Sequence, residues 1–228
     1  MKAKLIHAQI NDDFLLSIAP RAGYHTFLGM LSVFENLKYT RIRDIRKVHA
    51  FKGKKIKFIR NPYERAVSTF FMVPNKKLVG NIGKPFNMEW KDVLNLSFYR
   101  YLQKLNKCSL KHLNPHVGFQ REIGENSNFK YDEFFKIEEI ENKIQEIASY
   151  IKCDVDPSKS FGTRHKWCKE RVDVGFCGAL PLGKVRSRKN RPAPHYKCFY
   201  NNKVKKLARK VFKEDFHGQF YDIKCWNI

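Results

Sequence analysis

Two short stretches hold side chains whose types and spacing suit chemistry on an anion: "PRAGYHTF", Pro20 to Phe27, and "IRNPYERAVS", Ile59 to Ser68. In the first, Gly23 permits close backbone approach, Arg21 offers a planar charged fork, and His25 and Thr26 place donors at a helix start. In the second, an apolar run ends on Arg60, turns through Asn61 and Pro62, and continues as a helix carrying Glu64, Arg65 and Ser68. A strand that passes at once into a helix leaves amide N–H groups aimed at the turn, and an arginine beside them makes a seat for an anion. The first stretch taken alone reads as a tight turn. Two such loops side by side suit a nucleotide with phosphates at both ends. Neither is a Walker loop, because the G-x-x-x-x-G-K-[ST] spacing is missing.

The elements that must position these residues follow from hydrophobic patterning. "DDFLLSIAP" reads as a short buried strand ending at Pro20, and "TFLGMLSVFEN" sets Phe27, Met30, Leu31 and Phe34 at helical spacing. The same grammar returns at "KKIKFIRNP" and "YERAVSTFFMV". Repeated strand-loop-helix units predict an α/β fold with a central parallel β-sheet flanked by helices, whose ligands sit at the C-terminal ends of the strands. Further along, residues 75–87 read as an exposed loop and a helix is expected from Trp90 to about Leu105. "FKIEEIENKIQEIASYIKC" spaces Ile137, Ile140, Ile144, Ile147 and Ile151 as one amphipathic helix. Residues 153–197 form an irregular basic excursion, read as a substrate-facing insertion or a mobile loop. "NNKVKKLARKVFKEDF" then supplies a closing helix over about 201–216, capped by Asn201 or Asn202, with Val204, Leu207, Val211 and Phe212 facing inward.

Composition narrows the class. Of 228 residues, 43% are apolar and 14% aromatic, too much hydrophobic material for a disordered polycation, and the length suits one elaborated domain over 1–228. The formal charge of +23 attracts polyanions or anionic small molecules. It is densest at the C-terminal end, where residues 151–228 carry 19 basic and 7 acidic groups. No apolar run reaches the eighteen or so residues of a membrane span, and the start "MKAKLIHAQINDDFLL" carries Asn and two Asp where an export leader needs an apolar core. The expectation is a soluble, cytoplasmic protein with reduced thiols. His165, Cys168 and Cys177 are residue types that ligate zinc, but the spacing is irregular and there is no C-x-x-C pair, so no metal is expected.

"PRAGYHTF" followed by "FIRNPYERAVSTFF" resembles the two cofactor loops of the carbohydrate sulfotransferases, the Golgi-type enzymes and their bacterial and viral relatives. In that family the first loop reads roughly P-K-x-x-x-[ST]-[ST]-[FW] and the second [IV]-R-[DNH]-P-x-x-R-x-x-S. "NPHVGFQ" is similar to the family's H-x-x-P-Q segment, with His116 and Gln120 in register, and "YDEFFKIEEIEN" to a segment with a Lys-x-Glu, here Lys136 and Glu138. The closing helix is similar too, so the resemblance touches most of the chain outside residues 153–190. It implies a P-loop-like core and 3′-phosphoadenosine 5′-phosphosulfate as sulfate donor. It assigns Arg21, Ala22, Gly23, Tyr24, His25 and Thr26 to the 5′-phosphosulfate end, and Arg60 and Ser68 to the 3′-phosphate. In the first loop two residues depart from the pattern, Arg21 standing where the family has lysine and His25 where it has Ser or Thr, and in "NPHVGFQ" Gly118 and Phe119 replace the usual middle.

Sulfuryl transfer asks for a base on the acceptor hydroxyl and positive charge on the departing phosphate. Arg21 suits the second role. Histidine titrates nearest neutrality and suits the first. His49, eleven residues before Arg60, ranks first, because heparan 2-O-sulfating relatives carry their base at a similar place; His116 ranks second. His25 is better placed to touch the sulfuryl group. Glu64 and Arg65 read as structural ion-pairing residues. Lys184, Arg186, Arg188, Lys189 and Arg191 read either as a solvated loop or as a recruiter of an anionic glycan acceptor. The rival from another class is a basic nucleic-acid-binding protein, which explains the charge but not the paired loops. A cofactor-binding homologue without turnover is the other alternative.

Overall fold

The computed structural model describes residues 2–20, 22–73, 88, 90–110, 117–122, 124–125, 127–159, 171–186 and 193–216. The backbone forms two compact units: residues 1–61 with 120–164, and residues 62–119 with 165–228. Each has its own core.

The first unit is built on a five-stranded sheet: β1 (Lys2–Gln9), β2 (Phe14–Ile18), β3 (Thr40–Asp44), β4 (Lys54–Ile59) and β5 (Glu133–Lys136), in the order β3-β1-β2-β4-β5. The expected wholly parallel sheet needs correction. β2, β4 and β5 run parallel, but β1 pairs antiparallel with both β2 and β3. The cause is local: Asn11 accepts from the Asp13 and Phe14 amides at 2.9 and 3.1 Å, closing a tight turn that joins β1 to β2. Antiparallel strands need no helical crossover. All five residues of β2 are buried, as suits a central strand covered on both faces. β3 reads Thr-Arg-Ile-Arg-Asp with only Ile42 inward, a charged edge that resists pairing with another sheet.

Helix α1 (Tyr24–Val33) follows β2 and lays Phe27 against Phe58 at 5.2 Å between ring centroids, with Met30 and Leu31 buried beside it. Helix α2 (Ile45–Ala50) is capped by Asp44, whose carboxylate accepts from the Arg46 amide. The single helix expected over 135–153 is broken. Glu133–Lys136 is strand β5, Ile137–Glu139 is a short 3-10 turn, and only Ile144–Tyr150 is helix α6. Pairing with β4 overrides the local helical preference of this stretch. Its apolar register still holds, since Ile137, Ile140, Ile147 and Ile151 are all buried.

The second unit is helical. It contains α3 (Pro62–Met72), α4 (Trp90–Leu94), α5 (Phe98–Asn106), α7 (Leu182–Arg186), α8 (Asn202–Val211) and α9 (Lys213–Phe216). The helix expected from Trp90 to about Leu105 is interrupted, because Ser97 caps a new one by accepting from the Arg100 amide at 3.3 Å. Asn201 caps α8 in the same way, and Val204, Val211 and Phe212 face inward as expected. Aromatic rings fill this core: Phe98 meets Phe70, Phe199 and Tyr200 at 5.3–5.6 Å between centroids. Of the described part of the excursion, residues 153–159 join the first unit, where the Asp156 amide donates to the Val33 carbonyl at 2.8 Å, and residues 171–186 and 193–197 are tied into the second unit's core. Cys177, Leu182 and Val185 are buried, the Cys177 amide donates to the Cys198 carbonyl at 2.7 Å, and the Leu182 amide donates to Leu96 at 2.9 Å. Residues 75–87, Arg188, Lys189 and Arg191 lie outside the described residues, and so does the side chain of Arg186.

Candidate functional site

The parallel part of the sheet decides where the two loops emerge. Ile18 at the end of β2 lies opposite Phe58, and Ile59 at the end of β4 lies opposite Lys136. The turns after β2, β4 and β5 therefore leave one edge of the sheet together, with neighbouring strands about 4.8 Å apart.

In the turn after β2, Ala19 and Ala22 are fully buried and the Ala22 amide donates to the Ala19 carbonyl at 3.0 Å, drawing the chain into a tight bend. Gly23 follows in the left-handed region, with φ of 95°. A Cβ there would lie 2.5 Å from Cγ1 of Ile137, so both the backbone angle and the space demand glycine. Gly23 is also the N-cap of α1. It has no side chain to accept the first-turn amides, and that turn contains no acidic residue. The positive end of the helix, about half an elementary charge, is thus left without a carboxylate of its own helix. His25 is exposed on this turn and Thr26 is half-buried.

The turn after β4 is held differently. Gln120, fully buried, accepts from the Arg60 amide at 2.9 Å and donates to the Arg60 carbonyl at 2.8 Å. Glu138, just past β5, accepts from the Asn61 amide at 2.8 Å. Arg60 itself is half-buried.

Beneath Gln120 runs a buried polar row. His7, Ser17 and Lys57 are register partners across β1, β2 and β4, and all three are fully buried. His7 bridges the Ser17 hydroxyl at 2.7 Å and the Glu122 carboxylate at 3.0 Å. Glu122 also accepts from the Lys4 and Leu5 amides, and Lys57 donates to both oxygens of Glu125 at 2.7 Å. The Tyr131 ring lies 5.1 Å from the Lys57 ammonium, and burial, with the Glu125 carboxylate next, pushes its phenol well above the ordinary range. These bonds fasten Glu122 and Glu125 to the sheet, close in sequence to Gln120.

The first unit therefore gathers Ala22, Gly23, His25, Thr26 and Arg60 at one sheet edge. Ser68 belongs to the second unit, half-buried on α3. His49 lies in the last turn of α2, half-buried, its ring 4.8 Å from that of Phe129. Arg21, His116 and the side chain of Tyr24 lie outside the described residues. Arg65 and Glu64 are structural, as expected. Arg65 is buried, pairs with Asp215 at 3.3 Å and donates to the Gly118 carbonyl at 2.7 Å, while Glu64 pairs with Arg171. Among the described residues no three His, Cys, Asp or Glu side chains are grouped to hold a metal, and no helix is long and apolar enough to cross a membrane. Sequence reasoning noted Gln120 and Glu138 but gave neither a role; a lone buried glutamine sixty residues from its partner carries no local signal.

A protein-family model described as the sulfotransferase family matches residues 20–218, most of the chain. No curated protein and no solved structure matches it.

Proposed function

The chain belongs to the sulfotransferase family, and from that premise we propose that it transfers a sulfuryl group from 3′-phosphoadenosine 5′-phosphosulfate to a hydroxyl of a carbohydrate acceptor. The observation that carries this reading is the parallel register of β2 and β4, which brings the Gly23 turn and the Arg60 turn out of the sheet side by side. The Gly23 turn suits a phosphate on its own geometry: a left-handed glycine at a helix N-terminus that has neither a side-chain cap nor an acidic residue in its first turn.

The donor supplies an activated sulfuryl group carried on a 5′-phosphate. The chain's residues supply place and charge. Amides of Gly23 to Thr26 and the Thr26 hydroxyl receive the 5′-phosphate, and the Arg21 guanidinium balances the charge that develops on it as the acceptor oxygen attacks. The resemblance assigns Arg60 and Ser68 to the 3′-phosphate, and Arg60 is the charged ligand among them. His49 takes the acceptor hydroxyl proton, with His116 as the alternative base. The net charge of +23 favours an acceptor that is itself anionic.

Calorimetric titration with adenosine 3′,5′-bisphosphate tests the cofactor assignment. Arg60→Ala and Ser68→Ala should each weaken binding, Arg60→Ala by roughly tenfold or more, as expected for a lost charge-assisted bond. Wild-type affinity in both variants removes the assignment. A radiolabelled sulfate screen over glycans, repeated with His49→Ala and His116→Ala, then chooses the base.

A further inference from the structure

We propose that Gln120 and Glu138 are positioning residues that set the direction of the Arg60 side chain and thereby the preference for a nucleotide bearing a 3′-phosphate. The inference rests on the reading of Arg60 as the 3′-phosphate ligand and adds to it the two side chains that make Arg60 selective.

The argument starts from where the ladder stops. β2 pairs with β4 only as far as Phe58, and β5 only as far as Ile59. Arg60 lies one residue beyond, at the point where the chain must leave the sheet and turn. Gln120 answers both polar groups of that residue with one side chain, accepting from its N–H at 2.9 Å and donating to its carbonyl at 2.8 Å. The carboxamide therefore acts as one more rung of the sheet, and its full burial leaves it no water to exchange with. The next amide, that of Asn61, is taken by Glu138 at 2.8 Å. Two consecutive peptide units are thus fixed from two distant segments, and the direction of the Arg60 Cα–Cβ bond is fixed with them. A long side chain that must meet a phosphate loses less freedom on binding when its root is already held. A displacement of about an ångström at that root is enough to spoil a bidentate contact.

The experiment compares two probes, adenosine 3′,5′-bisphosphate and adenosine 5′-monophosphate, and reads the ratio of their dissociation constants. Wild type should favour the bisphosphate. Gln120→Met keeps the side-chain length and removes both hydrogen bonds. It should cut the ratio by roughly tenfold through the bisphosphate alone, leaving the monophosphate within about twofold. Glu138→Ala should do the same, whereas Glu138→Gln, whose amide oxygen can still accept from Asn61, should keep most of the preference. In an Arg60→Ala background Gln120→Met should add no further loss, the signature of a residue acting through its partner.

A merely structural role would lower thermal stability and leave the ratio alone; a wild-type ratio in Gln120→Met overturns the proposal. If that variant does not fold, the Glu138 pair decides, and equal ratios in Glu138→Ala and wild type overturn it. A wild-type protein with no preference for the bisphosphate overturns the cofactor reading itself, a separate result seen before any variant is made.

Discussion

The turns after β2 and β4 leave the same edge of the same sheet, yet they are held in opposite ways. The first is shaped by absence of bulk: two buried alanines, a left-handed glycine pressed against Ile137, and a helix whose cap has no side chain. The second is shaped by added bonds, with Gln120 and Glu138 occupying the amides of Arg60 and Asn61. A turn whose helix cap carries no side chain gives the first-turn amides no capping oxygen of their own, which suits a place where a charged ligand comes and goes. A turn whose amides are already taken can offer only its side chain, which suits a fixed anchor.

If the second turn depends on the buried row beneath it, breaking that row should give the largest effect. Lys57→Met leaves the Glu125 carboxylate buried without its ammonium partner, 2.7 Å away in the native protein. The expected loss is about 3–5 kcal/mol, read by urea denaturation, because an uncompensated buried charge costs far more than the pair contributes. Adding Glu125→Gln should recover part of the loss. A single variant as stable as wild type would show that Glu125 does not hold its segment to the sheet.

The first turn should fail by a different route. Gly23→Ala places a Cβ against Ile137 and forces an L-residue into φ of 95°. Strain and crowding together predict roughly 2–4 kcal/mol of destabilisation. The sharper expectation concerns chemistry. Sulfate transfer should fall at least a hundredfold, because a shift of the α1 N-terminus moves every amide assigned to the 5′-phosphate at once. Adding Ile137→Ala removes the steric part and should restore some stability, while the backbone strain remains.

This contrast also marks what the sequence could reveal. Gly23, Arg60 and the order strand-turn-helix were legible because each is a local fact: a residue that fits a turn, a charge at the end of an apolar run. β1 was not legible, because "KAKLIHAQ" carries two lysines and a histidine, and only the fold shows His7 facing Ser17 and Glu122. The helix expected over 135–153 failed for a related reason. Isoleucine spacing serves a helix or a strand followed by a turn, and pairing of Phe135 with Phe58 decides between them. Gln120 and Glu138 act on residues 60 and 77 positions away, and nothing in a one-dimensional pattern announces such a partner. Arg65 was readable as structural, but its partner Asp215, 150 residues on, was not.

The smallest expected effect separates the two turns most directly. α1 begins without an acidic residue in its first turn, and His25 is exposed there. His25→Glu puts a carboxylate at the positive end of the helix, which should stabilise the free protein by about 0.3–1 kcal/mol. The same carboxylate then competes with the 5′-phosphate for the first-turn amides, so nucleotide affinity should fall while thermal stability rises. Because the change touches only the first turn, affinity for adenosine 5′-monophosphate and for the 3′,5′-bisphosphate should drop by the same factor, leaving their ratio at the wild-type value. A stabilised variant with undiminished affinity would mean that the amides of α1 do not receive the phosphate. A changed ratio would mean that the two turns are coupled, and the division between an open cradle and a fixed anchor would fall.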